Sequence, residues 1–423
     1  MSDCFDEIIG YEDVKDQLRM LVDMLKHPEE YAKCGVKIND GLLLSGEPGT
    51  GKTTLAQCFI KETGRKSYIL RKKASDGAFL EKITDVFAEA EANAPSVILL
   101  DDIDKFTDED RNNLDSEEFA AVQAGIDEVK GQDVFIMATA NKSYKLPDSL
   151  TRHGRLGNEI CVRKPVLSER VRIVRHYLDQ AGVGSEIDAE SIARMLSNEN
   201  CSTLETVVNN AGMRAAYNRR PKLTMEDMVE VCLDMIFNTP RTTIPLSENA
   251  LKRNANHEAG HILAAELLDP GSVAIASIRH GDGSKQGLVR YCRKPDAEDT
   301  MSDLENYIRV SLAGKAANEV VYGDADPGVN GDMHNAFDLA RKIVDNFCSF
   351  GFDTWIEDEN NQFSAENRNR EMASLLRRYY LEVKQLLTQH RELLDKLTNA
   401  LIEKTTLTFS DVQMIIHPAQ GLL

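Results

Sequence analysis

Two histidines and a glutamate lie close together in the run Leu251 to Leu268, where apolar residues recur at helical spacing. Because positions four apart share one face of a helix, His257 and His261 would present two imidazoles to a single point. Two such nitrogens form half of a tetrahedral zinc site, and Glu258 is then placed to take a proton from a zinc-bound water. A chance pattern on a buried helix is the alternative. Every residue that the chemistry needs is present, which favours a zinc hydrolase.

A glycine-rich loop follows the apolar run Gly41 to Ser45, which is predicted to be a buried strand. The loop has the arrangement GxxxxGK[ST] between a strand and a helix, where backbone N–H groups wrap phosphates and the helix N-terminus adds a favourable dipole. Lys52 is expected to reach the β- and γ-phosphates of ATP, and Thr53 to bind magnesium. A glycine-rich turn without a ligand is the alternative that this context argues against. The predicted nucleotide-binding residues are Gly46, Gly49, Thr50, Gly51, Lys52 and Thr53.

Acidic and polar residues follow two further apolar runs that are predicted to be strands. Ser96 to Leu100 leads into Asp101 and Asp102. A carboxylate at a strand end near a phosphate-binding loop is where magnesium and the attacking water are held. Val134 to Ala138 leads to Asn141, a polar residue able to orient that water.

The predicted secondary structure changes along the chain. Strands alternate with helical patterns up to residue 164, the pattern is helical and strand-free over 165–238, and 239–245 is the clearest linker. Residues 246–423 are mainly helical, with two predicted strands after the histidine helix, Val273 to Arg279 and Gly287 to Tyr291. The long helical tail from Ala373 to Glu403 does not sustain heptads, so a helical wrap on the core is favoured over a coiled coil.

Composition limits the class of protein. The 423 residues are 42% hydrophobic and 28% charged, an ordinary globular profile, and a net charge of −19 argues against nucleic acid as the main partner. The eight cysteines are scattered without a CxxC pair, which indicates reduced thiols in the cytoplasm. No apolar run approaches the ~20 residues of a membrane span. We therefore expect a soluble chain, with a membrane role only if an anchor belongs to a longer form.

With these motifs in this order, the chain resembles the AAA+ ATPases, specifically the FtsH family of ATP-dependent zinc metalloproteases. The resemblance implies an α/β AAA+ module, with a parallel sheet, helices on both faces and a helical lid, followed by a mainly α zinc metallopeptidase domain. It implies that Lys52 and Thr53 bind ATP–Mg²⁺ and that Asn141 occupies the first sensor position. Arg152 and Arg155, which alone suggest surface charge, match two arginine fingers that reach a neighbouring subunit's nucleotide, which implies a hexamer.

Two departures from the family pattern bear on activity. The strand-end pair of the family is Asp-Glu, whereas this chain has Asp101 and Asp102, so the second carboxylate lies further from the water and we expect slow ATP hydrolysis. The segment that matches the substrate-gripping pore loop, Ser75 to Phe79, is shortened and has no aromatic residue before Gly77. Phe79 is the candidate to take the aromatic position in a shifted loop.

The third zinc ligand has two candidates. Asp332 matches the aspartate that the family uses, and Glu319 is the alternative, as a ligand from a second helix or as a partner of a ligating histidine. His334 is too near Asp332 in sequence for both to bind the metal, and His280 and His390 are expected to be exposed bystanders. The predicted ligands are His257, His261 and Asp332, with Glu258 as the proton carrier.

Three functions remain open from the sequence. The first is an ATP-dependent zinc endopeptidase that degrades unfolded or tagged proteins as a ring. The second is an AAA+ remodelling or chaperone ring with weak or no proteolysis, which the Asp102 and pore-loop departures favour. The third is a zinc peptidase that is only gated by ATP binding.

Overall fold

The computed structural model describes residues 3–36, 41–72, 78–106, 117–239, 247–279, 287–292, 300–324, 329–347, 349 and 362–418. The chain forms two compact units, Met1–Tyr177 with Asn198–Val208, and Leu178–Ser197 with Asn209–Leu423. The predicted division at 164, 238 and 245 stays a prediction. Across the described residues, no helix combines the length and apolar character that a bilayer crossing requires.

A five-stranded parallel sheet organises the first unit, in the order β2-β3-β4-β1-β5. Three of its strands are buried along their whole length, as expected for a sheet covered on both faces. Because parallel strands end at the same edge, the segments after β1, β3 and β4 meet there. The strands are β1 (Gly41–Ser45), β2 (Lys66–Leu70), β3 (Ser96–Leu100), β4 (Val134–Ala140) and β5 (Glu159–Cys161).

Helices cover both faces of this sheet, which confirms the predicted α/β architecture. Successive residues of β1 point to opposite faces, so Leu43 packs into one core and Leu42 and Leu44 into the other. The first core includes residues of α4 and α5, and the second includes residues of α1 and α3. The helices are α1 (Glu12–Lys26), α2 (Pro28–Lys33), α3 (Lys52–Thr63), α4 (Ala78–Ala92), α5 (Glu117–Glu128), α6 (Asp148–Thr151) and α7 (Leu167–Gln180).

Phe79 does not take the pore-loop position that the sequence suggested for it. It lies in the first turn of α4 with only 5% of its surface exposed, and its ring packs edge-on against Phe106 at 5.0 Å between ring centroids. Burial of an aromatic ring in the core explains this placement, because the ring gains more from apolar contact than from solvent. The preceding residues, including Ser75 and Gly77, lie outside the described residues.

The region that precedes the histidine helix is helical, as predicted, and side chains cap its helices. A capping box formed by Thr224 and Asp227 begins α10. Asp188 caps α8 through hydrogen bonds from the Glu190 and Ser191 backbone. The helices are α8 (Ala189–Met195), α9 (Cys201–Tyr217) and α10 (Met225–Val231), which continues into a π-helical turn, Cys232–Ile236.

The remainder of the second unit is mainly helical, as predicted, with one small antiparallel sheet in the order β7-β6-β8. Strand β7 therefore forms an edge of this sheet within the described residues. The elements are α11 (Glu248–Leu268), β6 (Val273–Ser277), β7 (Leu288–Tyr291), α12 (Met301–Tyr322), α13 (Asn330–Arg341), α14 (Gln362–Gln389), α15 (Arg391–Lys404), β8 (Thr406–Thr408) and α16 (Phe409–Ile416).

Helices α11 and α12 approach each other closely, and this approach positions the histidines. A Cβ built on Gly260 of α11 would lie 2.6 Å from the Ala317 Cβ and 2.7 Å from the Ala313 carbonyl oxygen on α12. Such distances leave room only for glycine. The tail helices α14 and α15 contribute Leu387 and Leu394 to the same core, which confirms the predicted helical wrap.

Candidate functional site

His257 and His261 lie one turn apart on α11, and their Nε2 atoms are 3.1 Å from each other. Asp332, in the first turn of α13, brings its Oδ2 atom to 3.1 Å from Nε2 of His257 and 3.4 Å from Nε2 of His261. Within the described part of the chain, these are the side chains whose ligand atoms converge, all within 4.8 Å of one another. Two imidazole nitrogens and one carboxylate oxygen form the donor set of many catalytic zinc sites, so the cluster fits Zn²⁺.

A backbone carbonyl of α12 holds the His261 ring in the orientation that a metal ligand needs. Nδ1 of His261 lies 2.7 Å from the carbonyl oxygen of Val310, to which it donates its hydrogen. This hydrogen bond fixes the tautomer and leaves the lone pair of Nε2 directed toward His257 and Asp332. The sequence suggested Glu319 for such a supporting role, but the structure gives it to Val310.

Charges within the cluster favour a cation. Burial acts to lower the pKa of His261, but the hydrogen bond and the charge of Asp332 outweigh burial and raise this pKa to about 9. Burial acts to raise the pKa of Asp332, yet the hydrogen bonds from both histidines hold it well below its usual range. The carboxylate therefore stays ionised beside two imidazoles, which is the arrangement that attracts a metal cation.

Gly314 of α12 leaves the space that both imidazoles occupy. A Cβ on Gly314 would lie 2.4 Å from Cε1 of His257 and 2.5 Å from Nε2 of His261. No sequence motif indicated Gly314. A glycine in the interior of a helix costs about 1 kcal/mol relative to alanine, so its presence in α12 indicates a packing reason.

Glu258 is 6% exposed and lines a cleft of about 1290 Å³ together with both histidines and Asp332. Burial raises the pKa of its carboxyl group, and the two histidines oppose that shift. Gly287, immediately before β7, lies against this side chain, because a Cβ there would be 2.4 Å from Oε1 of Glu258. The carboxylate thus lies beside the histidines and next to the edge strand.

The other candidates for the metal site lie elsewhere. Glu319 pairs with Lys315 at 2.6 Å and with Lys384 at 3.0 Å. Burial acts to raise the Glu319 pKa, but these partners and Tyr380 lower it to about 2. The side chain of His334 is 80% exposed, and His390 is half-buried at the start of α15 rather than exposed. His280 lies outside the described residues.

The phosphate-binding loop has the backbone conformation that its glycines allow. Gly46, Gly49 and Gly51 have φ angles of 140°, 77° and 93°, in the range that favours glycine. A Cβ on Gly46 would also lie 2.2 Å from the Val162 carbonyl oxygen. Nζ of Lys52 donates to the carbonyl oxygens of Gly46 and Glu47, each at 2.7 Å. Thr50 closes the loop by donating its hydroxyl to Glu47 at 2.9 Å.

The strand-end residues meet beside this loop. Oδ1 of Asp101 accepts hydrogen bonds from the hydroxyls of Thr53 at 3.0 Å and Thr139 at 2.8 Å. Asn141 donates from Nδ2 to Oδ1 of Asp102 at 3.2 Å. The predicted magnesium ligand Thr53 is therefore hydrogen-bonded to Asp101. Asn141 and Asp102, which are both expected to position the attacking water, are hydrogen-bonded to each other. Asp102 has a φ of 56°, a left-handed conformation that non-glycine residues seldom adopt outside turns and functional sites.

The two predicted arginine fingers have different surroundings. Arg155 is buried and forms a two-point ion pair with Asp127, at 3.0 Å from Nε and 2.6 Å from Nη2. This hydrogen bonding lowers the pKa of Asp127. Arg152 is exposed. The structure therefore leaves Arg152 available to another chain and engages Arg155 within its own chain. The trans role of both stays a prediction.

Two protein families match the chain, one for each site. Residues 42–164 match the ATPase family associated with various cellular activities (AAA), and residues 245–415 match Peptidase family M41. The first range contains the phosphate-binding loop, Asp101, Asp102 and Asn141. The second contains the cluster of His257, His261 and Asp332.

Similar proteins extend over nearly the whole chain. The ATP-dependent zinc metalloprotease FtsH of Thermus thermophilus is 28% identical over 98% of this chain and 70% of its own length. Its namesake in Ureaplasma parvum is 26% identical over 97% of this chain and 60% of its own length. The ATP-dependent zinc metalloprotease FTSH 11, chloroplastic/mitochondrial, of Arabidopsis thaliana is 30% identical over 98% of this chain and 53% of its own length. The chain therefore combines an AAA segment with a Peptidase family M41 segment, and over nearly its whole length it is similar to proteins named ATP-dependent zinc metalloprotease FtsH.

Proposed function

We propose that the chain is an ATP-dependent zinc endopeptidase that degrades unfolded or tagged proteins. The observation that carries this proposal is the convergence of the His257, His261 and Asp332 ligand atoms beside the buried carboxylate of Glu258 in an open cleft. The metal site and the proton carrier of a zinc peptidase are thus adjacent, as hydrolysis of a peptide bond requires.

The side chains of this site would act as follows. His257, His261 and Asp332 would hold zinc, which supplies Lewis-acid polarisation of the scissile carbonyl when it is bound. Glu258 removes a proton from the attacking water and delivers it to the nitrogen of the leaving amine. A raised carboxyl pKa suits this shuttle, because it brings the acid and base forms closer in free energy near neutral pH. The edge strand β7 would pair with an extended substrate chain.

The nucleotide site would drive or gate this reaction. Lys52 would exchange its two backbone carbonyl partners for the β- and γ-phosphates of ATP, while Thr53 and Asp101 hold Mg²⁺. Asn141 and Asp102 would orient the attacking water. Arg152 would reach the nucleotide of a neighbouring subunit, which requires a ring, and we propose a hexamer in the cytoplasm.

Asp102→Glu is expected to raise ATP turnover. The longer side chain moves the carboxylate toward the water, and it restores part of a general-base contribution of about 10²–10⁴-fold, so we expect an increase on the order of tenfold. Phosphate release at saturating ATP measures the effect, with Asp102→Asn as the matched control that should lower turnover. No change, or a fall, in the glutamate variant would show that the shorter carboxylate does not limit hydrolysis.

Casein digestion with zinc, with and without ATP, tests the proposal. We expect casein to be cut, cutting to stop when zinc is chelated, and cutting to fall when ATP is omitted or Lys52 is replaced by alanine. Uncut casein in the presence of zinc and ATP would favour a remodelling ring instead. Cutting that is indifferent to ATP and to Lys52→Ala would favour a zinc peptidase without coupled threading. The buried position of Phe79 supports the zinc peptidase that is only gated by ATP binding, because that aromatic ring is not free to grip substrate.

A further inference from the structure

Arg71 lies directly after β2, at the edge of the sheet where the nucleotide site is formed. Strand β2 pairs with β3 in a register that sets Leu70 beside Leu100, so Arg71 is adjacent to Asp101. Nη2 of Arg71 lies 2.7 Å from Oδ2 of Asp101 and 3.8 Å from Oδ2 of Asp102. The guanidinium therefore contacts both strand-end carboxylates, although neither the phosphate-loop motif nor the strand-end pair includes this arginine.

The position of the contact on Asp101 matters. Oδ1 of Asp101 already accepts hydrogen bonds from Thr53 and Thr139. Oδ2 is therefore the oxygen left for a cation, and the guanidinium holds it. The Asp101 side chain is 4% exposed, whereas that of Arg71 is 52% exposed. The carboxylate is thus fixed in the site, while the arginine can leave it by rotating toward solvent.

Lys105 provides a useful contrast. Its ammonium group lies 3.0 Å from Oδ2 of Asp102, and no contact between Lys105 and Asp101 is formed among the described residues. Lys105 thus has the charge of Arg71 and a place in the same acidic cluster, but it pairs with Asp102 and not with Oδ2 of Asp101. A general effect of positive charge can therefore be separated from occupation of that oxygen.

We propose that Arg71 and Mg²⁺ compete for Asp101, so that Mg²⁺–nucleotide binds only when Arg71 is displaced. The proposal rests on the proposed ATP–Mg²⁺ role of this site. A guanidinium on a buried carboxylate satisfies the charge that magnesium would otherwise neutralise, and a guanidinium and Mg²⁺ held on the same oxygen would repel each other strongly. The chain consequently needs more free Mg²⁺ for nucleotide binding than its carboxylates alone would require. Removal of Arg71 lowers that requirement.

The test measures binding and not catalysis. A fluorescent ATP analogue is bound to the full chain at rising Mg²⁺ concentration, and the half-saturating Mg²⁺ concentration is compared among variants. Arg71→Ala and Arg71→Gln are expected to lower it by about fivefold, the effect of one ion pair near a protein surface. Lys105→Ala is expected to change it by less than twofold. Lys82→Ala, which removes an exposed positive charge of α4, is expected to leave it unchanged.

Four other results would overturn the proposed competition, and one of them would also overturn the nucleotide assignment. An unchanged or higher Mg²⁺ requirement in both Arg71 variants overturns the competition. An equal decrease in the Lys82 variant also overturns it, because net charge alone would then explain the result. Absence of analogue binding in the wild type and all variants overturns the nucleotide assignment together with this proposal. Binding in the wild type that Lys52→Ala abolishes, but that Arg71→Ala leaves equally dependent on Mg²⁺, overturns only the role of Arg71.

Discussion

Glu258→Gln is expected to lower casein cleavage by about 10²–10⁴-fold, the range that a positioned general acid–base group contributes. Glutamine preserves the shape of the side chain but neither accepts a proton from water nor donates one to the leaving amine. The zinc ligands are untouched, so zinc should remain near one ion per chain. ATP binding should also survive, because the nucleotide site lies in the other sequence segment.

The same substitution is not expected to unfold the protein. Burial raises the pKa of Glu258 in the folded state above its value in the unfolded chain. Ionisation of this carboxyl group therefore destabilises the fold once the pH rises above the pKa of the unfolded chain. A neutral amide removes that cost near pH 7. The melting temperature of Glu258→Gln should therefore be no lower than that of the wild type.

Glu248 provides the matched control for this prediction. It lies on the same helix, α11, is exposed and pairs only with Lys252 at the surface among the described residues. Glu248→Gln should cleave casein at the wild-type rate. Activity in Glu258→Gln within a few-fold of the wild type would show that another group carries the proton, whatever the zinc content.

Gly314→Ala is expected to abolish zinc binding and casein cleavage together. The new methyl group would occupy space within 2.5 Å of both imidazoles, so the rings would have to move. Ring movement breaks the hydrogen bond from His261 to Val310 or separates the Nε2 atoms, and either change removes the ligand geometry. A reduction in zinc affinity of at least 10–100-fold is expected, as for loss of an orienting partner.

A second glycine separates this steric effect from a general effect of alanine in helices. Gly212 lies in α9, and within the described part of the chain a Cβ there would meet only Leu223, at 3.9 Å. Gly212→Ala should retain zinc and activity, and it should stabilise the fold by up to about 1 kcal/mol, because alanine favours helix. Full zinc occupancy in Gly314→Ala, measured by elemental analysis after dialysis, would show that the zinc site tolerates a methyl group at position 314.

Local sequence signals predicted most of the scaffold of both sites. The strand before the phosphate loop, the strand before Asp101 and the histidine helix all have the predicted type. A short, wholly apolar run and apolar residues at helical spacing both report on local structure. The pairing of His257 with His261 followed from the period of the helix. The position of Asp332 beside the two histidines could not be predicted in this way, since it depends on how α13 packs. Glu319 is the alternative ligand from sequence, and the structure pairs it with two lysines instead.

The features that the sequence did not reveal all depend on tertiary contact. The sequence did not indicate strands β2, β5 and β8. Strand β2 is largely exposed and the other two are three residues long, so none has a strong apolar pattern. Phe79 is a candidate for the aromatic position of a shifted pore loop from its place after Gly77, whereas the structure shows it as a core residue. Arg71 gave no signal at all, because its importance comes from the register of β2 with β3.

Zinc content per chain after dialysis, measured for the wild type, Asp332→Asn and Glu319→Gln, tests the assignment of the metal ligands. The wild type and Glu319→Gln should carry about one zinc ion per chain, and Asp332→Asn should carry far less, because a neutral amide oxygen replaces the one anionic ligand. A wild type without stoichiometric zinc, or zinc lost from Glu319→Gln and kept by Asp332→Asn, would contradict the assignment of His257, His261 and Asp332.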